Sequence, residues 1–96
     1  MKSLKLNNPD KRLLDEISKA INDYDNQRLS LGSLIKRIEE CGENITEEVF
    51  KKIILDYWWP LEIAYASSLE KSTMEEQDQI TIEENISHIK NLLNKN

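Results

Sequence analysis

The chain of 96 residues is poor in turn-making and crosslinking residues, with two Gly, two Pro and a single Cys. So little Gly and Pro leaves little material for tight hairpins or repeated strand turns. One cysteine, Cys41, excludes an internal disulfide and any Cys cluster for zinc. The only histidine, His88, has no Ser, Cys or second ligand near it in sequence, which points to a surface or boundary residue rather than a catalytic base. No stretch approaches the roughly 18 apolar residues of a membrane span, and the opening MKSLKLNNPDK lacks the apolar run of a signal peptide. The expected compartment is the cytosol, without membrane attachment. No residue set marks a catalytic centre, a cofactor or a metal site, so none is expected.

What the chain does have is charge, unevenly spread. Residues 1–37 carry eight Lys or Arg against five Asp or Glu, whereas residues 38–80 carry three against eleven, a net charge of -8 within a chain of net -5. Such a surface repels phosphate backbones, so direct binding to nucleic acid is disfavoured and a partner with a basic surface is favoured.

The periodicity predicts an all-α fold, a compact bundle of about four helices in one domain over residues 1–96, with residues 1–7 and 95–96 as flexible ends. Asn8 caps a first helix with Pro9 at its first position, and Leu13, Leu14, Ile17, Ala20, Ile21 and Tyr24 form its apolar face to about residue 26. Ser30 caps a second, with Leu31, Leu34, Ile35, Ile38 and Cys41 on one face and Gly42 as its left-handed stop. Thr46, followed by Glu47 and Glu48, starts a third, and Ile45 can pack onto Phe50. Residues 67–79 read as a polar connection. Thr81 and Glu84 then form a capping box for a last helix on Ile82, Ile86, Ile89 and Leu93, ending near Asn94. Ile80 and Ile82 could instead lie on one side of a short strand.

The third segment is the expected centre of the bundle. Residues 49–69 hold both tryptophans, two of the three tyrosines and the only phenylalanine, with apolar side chains in nearly every direction, as in a helix covered on most sides. Pro60 interrupts it. The apolar positions stay in phase across the proline, which favours a kinked continuous helix; a break and restart is the alternative.

Trp58 and Trp59 diverge by about 100 degrees on a helix. Either both are core, or one surfaces beside Asp56 or Glu62 as an aromatic and acidic cluster suited to a partner contact. Asp56 and Glu62 project about 240 degrees apart, so they form no paired-carboxylate site on a regular helix. The candidate partner-binding residues are Asp56, Trp59, Glu62, Glu70, Glu75, Glu76 and Asp78. Cys41, on an apolar face, reads as a small buried hydrophobe.

The segments RLSLGSLIKRIEE and WWPLEIAYASSLEK resemble, over about residues 28–71, small helical bacterial immunity proteins encoded beside polymorphic or contact-dependent toxins; Pro60 is a departure from that pattern. The resemblance implies a non-catalytic protein that binds and blocks a cognate toxin domain, with a nuclease as one candidate. The alternative is a small helical adaptor or regulatory subunit that binds a partner protein.

Overall fold

A computed structural model describes residues 6–94. Those residues form four helices and no strand: α1 (Asn8–Asp25), α2 (Leu31–Asn44), α3 (Glu48–Lys71) and α4 (Glu76–Asn94). Residues 1–5 and 95–96, expected as flexible ends, lie outside the described residues.

The helices alternate in direction around a square. α1 packs on α2, α2 on α3 and α3 on α4, while α1 meets α4 more sparsely and the diagonal pairs stay apart. Ile17, Leu34, Ile38, Phe50, Ile54, Leu61 and Ile89, all fully buried, fill the space between. α3 is thus one corner of the square rather than a hub, and its outward face is open. The expectation of a helix covered on most sides fails because its bulky side chains exceed what two neighbouring helices can cover.

Several local expectations shift by a residue or more. α1 is capped by Asn7, whose Oδ1 accepts from Asp10 N–H at 2.8 Å, so Asn8 is already helical. Gly42 has no left-handed backbone, and α2 runs past it to Asn44. Gly42 is small for a packing reason: a Cβ there would lie 3.0 Å from Ile54 Cγ2 and 3.1 Å from Leu55 Cδ2. Glu47, not Thr46, caps α3, its carboxylate accepting from Val49 and Phe50 N–H. Thr46 is taken up by α1 instead. Its N–H and hydroxyl both donate to Asp10, which is 1% exposed, and Glu47 N–H donates there too at 3.0 Å.

α3 does not break at Pro60; one helix of 24 residues, about 36 Å long, passes through it. The supposed connection over residues 67–79 is mostly helix. Ser72, in the left-handed region at φ 59, ends α3, and α4 starts at Glu76, so Thr81 is interior to α4 and no strand forms at Ile80. The sequence cue misled because Thr81 and Glu84 carry cap chemistry at a place where the helix is already established. Polarity in residues 67–79 marks exposure, not loop.

The α3–α4 hairpin outreaches the rest. Asp25, the last residue of α1, ion-pairs with Lys90 at 2.6 Å, yet α4 begins 14 residues earlier at Glu76, about 21 Å away along its axis. The long dimension of the molecule is 42 Å against 23 and 22 Å for the others.

Candidate protein-docking face

The open side of α3 repeats every three or four residues, Asp56, Trp59, Ile63, Ala66 and Glu70, because the opposite positions Ile54, Leu61 and Ala64 are held in the core. Trp59 is 57% exposed and Ile63 51%, one helical turn apart. An indole and a β-branched side chain left in water together carry an unfavourable hydration cost that a partner surface would remove. Trp58 turns inward and is half-buried, with its ring centroid 5.8 Å from that of Trp59. Of the two expectations for the tryptophan pair, the divided one therefore holds. The Trp58 Nε1 is buried without a hydrogen-bond acceptor.

Beside this ridge runs a groove of about 410 Å³ between α3 and α4, lined by Trp59, Pro60, Ile63, Ala64, Ser67, Asp78 and Thr81. Its lining is predominantly apolar, with Asp78 at one end. A second cavity of about 180 Å³, between α1 and α4, is lined by Ser18, Ile21, Asn22, Asp25, Lys90, Leu93 and Asn94 and lies on a different helix pair.

The expected acids divide into three groups. Asp56 is exposed and reaches back to Lys52 at 3.0 Å; both side chains are well solvated, so this pair contributes little to stability. Glu62 is half-buried and turned toward α2. There Glu39 sits with its carboxyl raised above the ordinary value, first by desolvation, then by the charges of Glu43, Glu62 and Glu40. Glu70, Glu75, Glu76 and Asp78 gather at the hairpin tip. Lys71 holds Glu75 at 2.8 Å and Asp78 at 3.4 Å, and its ammonium is raised by the hydrogen bond to Glu75 more than burial lowers it. The Asp78 Oδ2 is buried and, with the Lys71 ammonium 3.4 Å away, has a charge partner but no hydrogen-bond donor. Glu76 is exposed in the first turn of α4, where a negative charge suits the helix end.

The structure thus joins Asp56, Trp59 and Glu70 along one ridge, sets Glu62 on its α2 flank, and brings Asp78 into the groove beside Trp59. Glu75 and Glu76 lie at the tip. Ile63, Pro60, Ser67 and Thr81 were missed as site residues. Ile63 stands four residues after Trp59 on the same side of α3, but within an apolar run nothing in the sequence marks it as the one left in water.

The groups with chemical potential are elsewhere. Cys41 is buried, its thiol donates to Glu16 Oε2 at 3.4 Å, and burial with the Glu16 carboxylate pushes its pKa up to about 11. His88 is exposed and stacks on Tyr57, with ring centroids 5.1 Å apart at 20 degrees. Among the described residues, no group of His, Cys, Asp and Glu is arranged to hold a metal ion. None of the helices is long and apolar enough to cross a membrane. Comparison with protein-family models, with curated proteins and with solved structures gave no match.

Proposed function

We propose that the protein is an immunity protein: it binds a cognate bacterial toxin domain in the cytoplasm and blocks it without chemistry of its own. The observation that carries this reading is the exposed pair Trp59 and Ile63 on α3, set among Asp56, Glu62 and Glu70 of the same helix and Asp78 of α4. Aromatic anchors ringed by charge are the usual anatomy of a protein-binding hot spot. A nuclease toxin presents Lys and Arg to phosphate, and carboxylates on this face can take the place of those phosphates. The net charge of -5 speeds encounter with such a partner and disfavours nucleic acid itself.

A second reading is favoured by the apolar lining of the α3–α4 groove: an adaptor or regulatory subunit that seats a partner segment mainly by hydrophobic burial. The two differ in salt dependence, since an acid-to-base complex associates more slowly as salt rises and a groove-driven one changes little.

The deciding experiment is protection. The C-terminal domain of a toxin encoded by the adjacent reading frame is expressed with and without this protein. Rescue of growth by wild type, lost with Trp59→Ala, supports immunity; no rescue by a well-expressed wild-type protein overturns it.

A further inference from the structure

Pro60 gives the docking face a feature that its side chains alone do not. Lacking an N–H, it cannot donate to the carbonyl of Asp56, the bond any other residue would make at that point of α3. Trp59 and Pro60 both line the α3–α4 groove, and on a helix the carbonyl deprived of its usual donor points from Asp56 toward these two residues. Asp56 also carries an exposed carboxylate whose ion-pair partner among the described residues is Lys52, its side chain 76% exposed. Asp56 therefore offers a main-chain acceptor directed toward Trp59 and Pro60 and a carboxylate on the same exposed ridge as Trp59, one turn earlier.

We infer that the groove is occupied by an amphipathic helix of the partner protein whose arginine crosses Trp59 and donates to both acceptors of Asp56. This rests on the binding role proposed above and names the partner's chemistry. Arginine fits because its planar fork of N–H donors spans two acceptors while its stem and guanidinium lie on an indole; the single ammonium of lysine does not span them. A helix fits because two antiparallel helices form the walls, and the small Ala64 and Ser67 on the floor let a third backbone approach. A peptide bound by strand addition would need a sheet edge, and the described residues contain no strand. A second copy would bring the acids of one face against those of another. The exposed Glu70, farther along the same ridge, adds to the attraction for a basic helix.

The probe is a synthetic amphipathic helix of about 18 residues, roughly 27 Å, with a Leu and Ala stripe flanked by Arg. Binding to the full chain is followed by tryptophan emission and titration calorimetry. The proposal expects saturable binding that falls about tenfold or more with Ile63→Asp. It expects no comparable loss with Ser87→Asp, which adds the same charge at an exposed site on another side of α4. Equal losses in the two variants would reduce the binding to bulk charge and overturn the groove.

Pro60→Ala restores the helical N–H, so it should raise the melting temperature while weakening the Arg peptide several-fold. The peptide with the central Arg replaced by citrulline should bind wild type more weakly, and Pro60→Ala should no longer distinguish the two peptides. Additive effects in that cycle would remove Asp56 as the arginine acceptor. A scrambled peptide of the same composition that binds equally would remove the helix, and a stable dimer of the protein alone would show the groove already filled by a second copy. If a toxin is bound but Ile63→Asp and Pro60→Ala leave that complex intact, the groove assignment fails and the immunity function stands. If the peptide results hold and no toxin is bound, the reverse follows.

Discussion

Asp10 at the start of α1 holds Thr46, 36 residues later, by two hydrogen bonds: Oδ1 accepts the Thr46 N–H at 2.8 Å and Oδ2 accepts its hydroxyl at 2.9 Å. The Glu47 N–H adds a third bond and Asn7 donates to the same threonine hydroxyl oxygen at 3.0 Å. This cluster ties the beginning of α1 to the turn that launches α3, the helix that carries the exposed Trp59 and Ile63. Asp10→Ala should lower the melting temperature, since it removes the shared acceptor of the Thr46 N–H, the Thr46 hydroxyl and the Glu47 N–H, whereas Asp10→Asn should lower it less.

The same carboxylate sets a pH dependence. Desolvation pushes Asp10 upward, but the Thr46 N–H, the Thr46 hydroxyl and the Glu47 N–H outweigh it, and its pKa in the folded protein lies below the ordinary 3.8. A depressed carboxylate contributes stability that is complete well above 3.8 and is lost as pH falls through the folded-state value. The gap in melting temperature between wild type and Asp10→Asn should be constant near neutral pH and shrink below pH 3.8. A gap that widens in acid would contradict the hydrogen-bond account.

Gly42 and Gly32 should respond differently to alanine. At Gly42 the new Cβ meets Ile54 and Leu55 in the packed α2–α3 seam, and overpacking there should cost about 1–3 kcal/mol in denaturant unfolding. At Gly32 the nearest atom is the Tyr65 hydroxyl, 2.5 Å away, at the free end of a half-buried side chain that can swing aside. The gain in helix propensity, about 1 kcal/mol, should then leave Gly32→Ala close to neutral.

Cys41 should resist alkylation. With its pKa at about 11 rather than 9.0, the thiolate fraction at neutral pH is about a hundredfold below that of an ordinary cysteine, and burial slows access further. Glu16→Gln removes one cause of the rise and should increase the rate of modification by iodoacetamide in the folded protein. An unchanged rate would assign the protection to burial alone.

Glu62 should separate stability from binding. Its charge adds to the repulsion felt by Glu39, so Glu62→Gln should lower the Glu39 pKa, measured by NMR titration, and should not lower the melting temperature. The same variant should weaken toxin binding. Lost stability would place the Glu62 carboxylate in the packing instead.

The four-helix architecture was legible because the apolar positions of α1 and α2 repeat at helical spacing and each helix starts after a polar side chain able to cap it. The start of α4 was not, because Thr81 and Glu84 look like a cap wherever they stand, and nothing local says that a helix has already begun at Glu76. Trp59 and Asp56 were legible as site candidates from adjacency and charge. Ile63 was not, since an isoleucine in an apolar run has the same appearance whether it faces Leu61 or water. The role of Asp10 was hidden for a different reason: its partners Thr46 and Glu47 are close only once α1 and α2 fold back on each other.

The most direct test of the proposed docking face is the affinity and association rate of the proposed toxin domain for wild type and for Trp59→Ala, measured across a range of salt. Wild type should associate more slowly as salt rises, and Trp59→Ala should lose about 2 kcal/mol or more of binding with its melting temperature nearly unchanged. A variant that binds as tightly as wild type, or one that unfolds, would contradict the account.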